Sequence, residues 1–362
     1  MPTSLYRALF ADLRTDAALD VLPLQGLEYD DYIGKPGSLS ATIPVPNRRM
    51  AERVRQVVEG RTAVYLERDG QICWGGIVWT LTPAMDEQGT VTVALQAATF
   101  DSYAGRRYVR EDWSRTGVED LQIVRDLWAY MQREETGGNI GVGFAPGPKG
   151  SPRTVAFRDG DETSVEEAVN QLAAIEPGFE YLVSVYRDPS TGYRVKRLHF
   201  GVPRILVGDG TVVLDHPGDV LAYSFPRDAT RGGTAVRVRG GTPPNADRPA
   251  VSDEQLARDL IADGHPKLDV SSDHGAATDR ATLNAIARAE LAALRGPVVI
   301  PAVKIRLDRG GTPALLGTAV RLRIRDVWFA EGLDASFRVV GVKVQPPERG
   351  RAETAELYLE AL

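Results

Sequence analysis

Cysteine is almost missing from this chain. A single thiol, Cys73, permits no internal disulfide and no cysteine-based zinc site. Histidine is scarce too: His199, His216, His265 and His274 stand far apart, and no H-E-x-x-H pair is present. No stretch approaches the roughly 20 apolar residues that cross a bilayer. The N-terminus meets Arg7, Asp12 and Arg14 before a signal-like apolar run develops, so a soluble product made in a cytoplasm is expected. Charge of one sign is lacking as well. With a net charge of −6 and Arg and Lys scattered, the chain has no basic stripe of the kind that neutralises phosphates.

The motifs of common catalysts are absent or incomplete. Without Gly-x-Ser-x-Gly there is no α/β-hydrolase elbow. GGNIGVG (Gly137 to Gly143) follows a helical pattern rather than a strand and lacks the G-x-G-x-x-G spacing, so it reads as a loop. GPKGS (Gly147 to Ser151) lacks the full phosphate-loop spacing and reads as an exposed turn. Carboxylate pairs occur at Asp30-Asp31, Glu111-Asp112, and Asp159 with Asp161-Glu162. A glycosidase would need two of them to converge across a sugar cleft, and solvated loop charges are the plainer reading. Trp74, Trp79, Trp113, Trp128 and Trp328 could offer rings to a sugar. Three of them occupy regular strand or helix positions where core packing is the default, while Trp113 and Trp328 sit in no binding motif. No metal and no cofactor is expected.

What is present is the composition of a folded protein. Hydrophobic residues make up 43% and charged residues 25%, in a chain long enough for two or three domains. The first hundred residues are strand-like, as in SLSATIPV (Ser38 to Val45), which alternates Leu39, Ala41, Ile43 and Val45 on one side. One short helix, NRRMAERVRQVVEG, starts at the N-cap Asn47 and stops at Gly60. After Phe100 helices enter, one opened by Thr116-x-x-Glu119 and one by Ser164-x-x-Glu167, followed by strands FEYLVSVY and RVKRLHFG. From about Val220 strands return, interrupted by a short helix that Ser252-x-x-Gln255 would cap and by a helix over 278–295. Strand-rich segments at both ends thus surround a more helical centre.

Arg61 to Thr80, RTAVYLERDGQICWGGIVWT, poses a question of packing. Asp69-Gly70 predicts a type I′ hairpin pairing Glu67 with Ile72 and Tyr65 with Trp74. One face then carries Tyr65, Glu67, Ile72 and Trp74, and the other Val64, Leu66 and Cys73. Both faces are largely apolar, where a hairpin over one core shows a single apolar face.

Several segments, taken in order, resemble minor tail proteins of phages infecting actinobacteria. They are LSATIPVPN with the hairpin GRTAVYLERDGQICWGGIVWTLTP; Phe100-Asp101-Ser102-Tyr103 with Arg106-Arg107; EDLQIVRDLW; SVEEAVNQLAAIEPGFEYLV; and ATLNAIARAELAALRGP with ALLGTAVRLRIRD. Such proteins are similar to the baseplate hub of contractile tails and to the hub part of type VI secretion spikes. The resemblance implies an α+β, mostly β fold with two related small β-barrel domains and an inserted α/β domain. The first barrel would take 1–100, completed by about 200–230. The α/β insertion would take 101–199, and the second barrel 231–362.

The same resemblance implies a structural virion protein without catalysis at the tail tip, assembled in the host cytoplasm. Three copies would form a homotrimer with pseudo-six-fold symmetry. That ring would mate with a hexameric distal tail protein, carry tail fibre or tip proteins, and surround the tape-measure protein and DNA. A strongly basic lumen would retain DNA, so a neutral to acidic inner surface without specific DNA binding is expected. Many relatives carry a C-terminal peptidase, lysozyme-like domain or receptor-binding extension. The strand pattern here ends at Leu362, and no wall-degrading activity is expected. Tyr65, Ile72 and Trp74 are the candidate interface residues. The alternatives are a cell-wall hydrolase whose carboxylates converge only in the fold, and a carbohydrate-binding tail adhesin that uses its tryptophans.

Overall fold

The first seven strands surround one short helix: β1 (Tyr6–Asp12), β2 (Ala18–Leu22), β3 (Gln25–Tyr32), β4 (Ser38–Pro44), α1 (Arg48–Val54), β5 (Thr62–Arg68), β6 (Gln71–Met85) and β7 (Val91–Thr99). The computed structural model describes residues 4–208, 210–243, 246–275, 277–295, 298–299, 301–307 and 311–362. Local chemistry explains these elements. In β4 Leu39, Ala41 and Ile43 are buried while Ser38 and Ser40 face out. Asn47 caps α1 as expected, its side chain accepting from the Met50 amide at 2.9 Å.

A 3-10 turn at Phe100–Arg106 leads into a middle unit of β8 (Trp113–Glu119), α2 (Asp120–Met131), β9 (Val142–Phe144), β10 (Pro152–Phe157), α3 (Val165–Ala173), β11 (Glu180–Arg187) and β12 (Arg194–Gly201). Ser164 caps α3 as expected, accepting from the Glu167 amide at 3.1 Å. Thr116-x-x-Glu119 does not cap α2. Those residues continue β8 against β10, and the Glu119 carboxylate is taken by the Gly150 amide instead.

The remainder comprises β13 (Thr211–His216), β14 (Val220–Ser224), β15 (Arg227–Asp228), β16 (Ala235–Gly240), β17 (Gln255–Leu256), α4 (Arg258–Ala262), β18 (Asp269–His274), α5 (Arg280–Leu294), β19 (Val298–Val299), β20 (Ala302–Arg306), β21 (Ala319–Ile324), β22 (Leu333–Gln345) and β23 (Thr354–Ala361). Ser252 caps no helix: its hydroxyl accepts from the Val238 amide, and Gln255 lies in a strand.

The fold is α+β and mostly β. A 13-stranded sheet runs in the order β2–β1–β5–β6–β7–β4–β3–β22–β23–β20–β14, with β21 along the first half of β22 and β13 beside β21. Two barrel-like sets are visible in it. One path runs from β2 round to β3, the other from β13 round to β14, so each starts and ends on strands that are consecutive in the chain. No hydrogen-bonded ladder among the described residues closes either path. The sets are joined where β3 pairs β22, from Tyr29 opposite Val344 to Tyr32 opposite Gly341. Gly341 is required there, because a side chain would strike the Tyr32 ring.

Three clusters of buried side chains result. The largest is common to both sets and includes Leu39, Trp74 and Leu95 together with Val303, Leu322 and Leu357. A second joins the outer face of β5 and β6 to the middle unit through Tyr65, Ile77, Phe100, Leu127, Trp128 and Leu198. The third holds Val236, Val238, Leu283, Ile286 and Ala287 between α5 and the small β16–β17–β18 sheet. Two expectations differ from this arrangement. Strands β13 and β14, assigned from sequence to the completion of the first barrel, pair with β21 and β20 instead. The span 231–362, assigned to the second barrel, also holds the small β16–β17–β18 sheet, which α5 covers with an apolar cluster of its own.

Candidate functional site

The hairpin turn forms as the sequence demands, with φ of 51° at Asp69 and 83° at Gly70. Next to it Arg68 pairs Gln71 and Glu67 pairs Ile72. At Cys73 the ladder bulges, and beyond it Leu66, not Tyr65, stands opposite Trp74. The predicted face is therefore corrected: Trp74 joins Val64 and Leu66 in the large core, while Tyr65 and Ile72 face the middle unit. Both apolar faces are thus covered within one chain. All three candidate interface residues are buried, with 0% exposure at Tyr65, 9% at Ile72 and 1% at Trp74. The Trp74 indole donates to the Asp30 carbonyl at 2.8 Å, and the Tyr65 hydroxyl donates to Asp16 at 2.8 Å. Gly76 lets β6 pass close to β7, because a methyl group there would run into the Ala98 carbonyl.

Charged side chains clamp the middle unit between the two strand sets. On the side of the first set, Arg187 binds Glu67 and the Arg194 guanidinium binds Asp16 at 2.9 Å. On the side of the second, Arg338, buried on β22, binds Glu180 of β11, Glu360 of β23 and the Ile205 carbonyl. The two sets are themselves linked by Arg68 and Glu353, two hydrogen bonds of 2.8 Å, with the Tyr6 hydroxyl on the same carboxylate at 2.6 Å. Such two-pronged contacts fix orientation as well as distance.

Asp101 and Lys196 are among the titratable groups buried near this joint. Burial pushes the Asp101 carboxyl up to about 6, against the hydrogen bond it accepts from Thr99. Burial also brings the Lys196 ammonium down to about 8, although it donates to the Ile140 carbonyl at 2.6 Å. Beside Lys196 opens a cleft of about 710 Å³, lined by Leu13, Arg14, Arg61, Tyr103, Asn139 and Ile140 among others. Its charges pair with one another, Arg14 with Glu134 and Arg61 with Asp12. In its lining the Thr15 hydroxyl and amide both donate to Asp12 at 2.9 Å, contacts that close the turn after β1.

The other sequence candidates lie in separate environments. Asp30 accepts from Ser38, Glu111 binds Arg133, and Glu162 binds Arg110, so these carboxylates do not converge on a shared cleft. Trp74, Trp113 and Trp128 are buried, Trp79 is half-buried, and Trp328 is exposed, so no platform of tryptophans forms. Around Gly137 to Gly143 the backbone turns through positive φ at Gly137 and Gly141 into β9, and the Gln132 side chain bridges both backbone groups of Val142 at 2.9 Å. GPKGS packs against the start of α2, where Asp120 accepts from the Ser151 amide. Among the described residues no group of His, Cys, Asp and Glu could hold a metal ion, and no helix is long and apolar enough to cross a membrane.

Exposed apolar side chains were not anticipated, and they gather in particular places. Leu206, Val207, Val212, Val213 and Leu221 lie on and around β13 and β14, and Leu19, Val21 and Val58 lie on β2 and beyond α1. Val327 and Trp328 project from the turn between β21 and β22. A sequence signal did exist: the segment 205–226 contains Asp209, Asp215 and Asp219 and no lysine or arginine, whereas α1 and its flank are rich in arginine.

By sequence, no protein-family model and no curated protein matches the chain. By structure the likeness is extensive. A tail protein from Neisseria meningitidis MC58 aligns with a TM-score of 0.63 at 13% identity, covering 98% of this chain and 96% of its own. The 43 kDa tail protein of prophage MuSo2 from Shewanella oneidensis aligns at 0.64 and 11% identity, with 98% of both chains covered. Prophage tail protein gp18 from Listeria monocytogenes EGD-e aligns at 0.54 and 13% identity, covering 97% of this chain and 94% of its own. Across nearly its whole length, the chain has the fold of phage tail proteins.

Proposed function

We propose that this protein is a structural component of a phage tail and serves as the hub at the tail tip. In this reading three copies form a ring in which the two strand sets of each chain supply six similar units. The ring joins a hexameric distal tail protein above to fibre or tip proteins below, and the tape-measure protein and DNA occupy its lumen. The observation that carries the reading is the end-to-end structural likeness to tail proteins, which includes both strand sets and the units between them. The clamped joint supports it, since a hub must transmit load without its parts rotating. The role is mechanical and involves no catalysis.

The test is assembly. Light scattering of the purified chain across a concentration series is expected to give the mass of three chains at the upper end. Negative-stain images are expected to show rings with six lobes, and antibody labelling of particles should mark the tail tip. A chain that remains monomeric at every concentration, alone and with the distal tail protein, overturns the ring. Lysis of host peptidoglycan by the purified chain, abolished by one Asp or Glu substitution, overturns the non-catalytic role.

A further inference from the structure

Between β15 and β19 the chain leaves the second strand set and returns to it. On the way the span 233–295 builds α4, α5 and the small β16–β17–β18 sheet. The buried side chains of its apolar cluster, from Val236 to Ala287, and the partly buried ones packed on them all lie inside the span. No described residue between Phe225 and Val303 belongs to either of the other two clusters. Its polar contacts are internal as well. Glu290 of α5 accepts from the Ser272 hydroxyl of β18 at 2.7 Å and meets the His274 ring at 2.8 Å. Asp253 accepts from the Asn284 side chain at 2.7 Å, and Lys267 binds Glu254 at 2.6 Å. Among the described residues, no hydrogen bond or ion pair joins the span to a residue outside it.

What holds the span to the rest is narrow. Arg227 and Asp228 of β15 pair Val299 and Val298 of β19 as a two-residue antiparallel neck. Just inside it the Gly233 amide donates to the Leu294 carbonyl at 2.8 Å and closes entry against exit. The middle unit is fastened quite differently. It shares a core with β5 and β6, and Arg187, Arg194 and Arg338 pin it to both strand sets. Bodies of one chain move relative to each other unless a large apolar interface joins them. Hinges are a few residues at the ends of elements. The middle unit has such an interface, whereas the span has its own core and a neck.

We propose that the span 233–295 is an arm that swings as one rigid body on the β15–β19 neck, while the middle unit stays fixed to both strand sets. The swing carries α5 and the small sheet through an arc without opening any apolar cluster. Glu290, by tying β18 to α5, keeps the arm itself from shearing. The chain thereby has one adjustable part on an otherwise clamped frame. The swing needs no second copy, so it is independent of the ring.

Spin-label distances read by pulsed electron resonance test it in the full chain, diluted with unlabelled chain so that only pairs within one copy count. Ser271 and Arg288 are exposed on the arm, Ser336 on the second strand set and Ser114 on the middle unit. Cys73 stays unlabelled, because burial pushes its thiol up to about 11. Ser114→Cys with Ser336→Cys, across the clamped joint, is expected to give a narrow distribution. Ser271→Cys with Arg288→Cys, inside the arm, is expected to give another. Ser271→Cys with Ser336→Cys, across the neck, is expected to be about twice as broad. An equally narrow distribution across the neck overturns the swing. A broad one inside the arm overturns the rigid body, and a broad one across the clamped joint overturns the contrast with the middle unit.

Discussion

The Arg338 guanidinium, buried on β22, is bound at 2.6 Å by the carboxylate of Glu180 on β11, across the joint between the last strands and the middle unit. Glu360 and the Ile205 carbonyl complete its surroundings. Arg338→Ala leaves Glu180 without this cation and Glu360 with Arg204 at 3.5 Å. Because those carboxylates are partly exposed, the expected loss is about 3 kcal/mol, the lower end for breaking a buried pair. Urea unfolding monitored by tryptophan fluorescence measures it, and Glu360→Gln, which leaves the Glu180 contact in place, should cost clearly less.

Stability should bend twice with pH. For Asp101 the folded carboxyl titrates at about 6, above its ordinary 3.8, so the folded state holds more protons between those values. Stability from this group is greatest below about pH 4 and falls as pH rises to about 6, by about 3 kcal/mol in total. Lys196 acts in the opposite sense: its ammonium titrates at about 8 instead of 10.5, so stability rises with pH through that interval. Asp101→Asn should flatten the acid limb and Lys196→Met the alkaline limb in thermal melts taken across pH. An acid limb that keeps its slope in Asp101→Asn refutes the assignment.

The bulge at Cys73 can be removed without changing which residues pair. Deleting Cys73 leaves Ile72 opposite Glu67 and brings Trp74 opposite Leu66 in an unbroken ladder, so each ring stays on its present side. The variant is expected to fold, with the near-ultraviolet dichroism of the parent. Gly76→Ala should be far worse, costing about 3 kcal/mol because the methyl group meets backbone of β7 rather than a movable side chain.

Trp328 is the exposed indole of the chain, held by a turn in which Asp326 accepts from the Trp328 and Phe329 amides, both at 2.9 Å. Trp328→Phe should change stability by less than about 0.5 kcal/mol and remove most of the iodide-quenchable fluorescence. Glycan-array binding that disappears in this variant would support the adhesin alternative; no glycan binding is expected.

Local signals were legible where one short stretch decides its own structure. Asn47 and Ser164 announce their helices, Asp69-Gly70 its turn, and Leu39, Ala41 and Ile43 their inward face. The bulge was not legible, because an added residue in β6 is fixed by how Trp74 and Ile72 fill two cores at once. The pairing of β3 with β22 was equally hidden, since no periodicity records which distant strand will be a neighbour. Tyr65, Ile72 and Trp74 stood out for apolarity in an unusual place. That apolarity reflects two cores within one chain, and the exposed side chains on β2 and β13 are not legible because neither short segment shows which of its apolar residues will face solvent.

The ladder between β3 and β22 also sets the order in which the molecule can be completed. Ribosomal synthesis delivers β3 early and β22 almost last, so the first strand set waits with an open edge while most of the chain emerges. The middle unit needs no such delay, since its strands and helices are contiguous from Trp113 to Gly201. The nascent chain can therefore form its first strand set and its centre before its last strands, and its high contact order makes final closure slow. A truncation that removes β22 and β23 exposes a long sticky edge, and aggregation during synthesis is the failure this architecture invites.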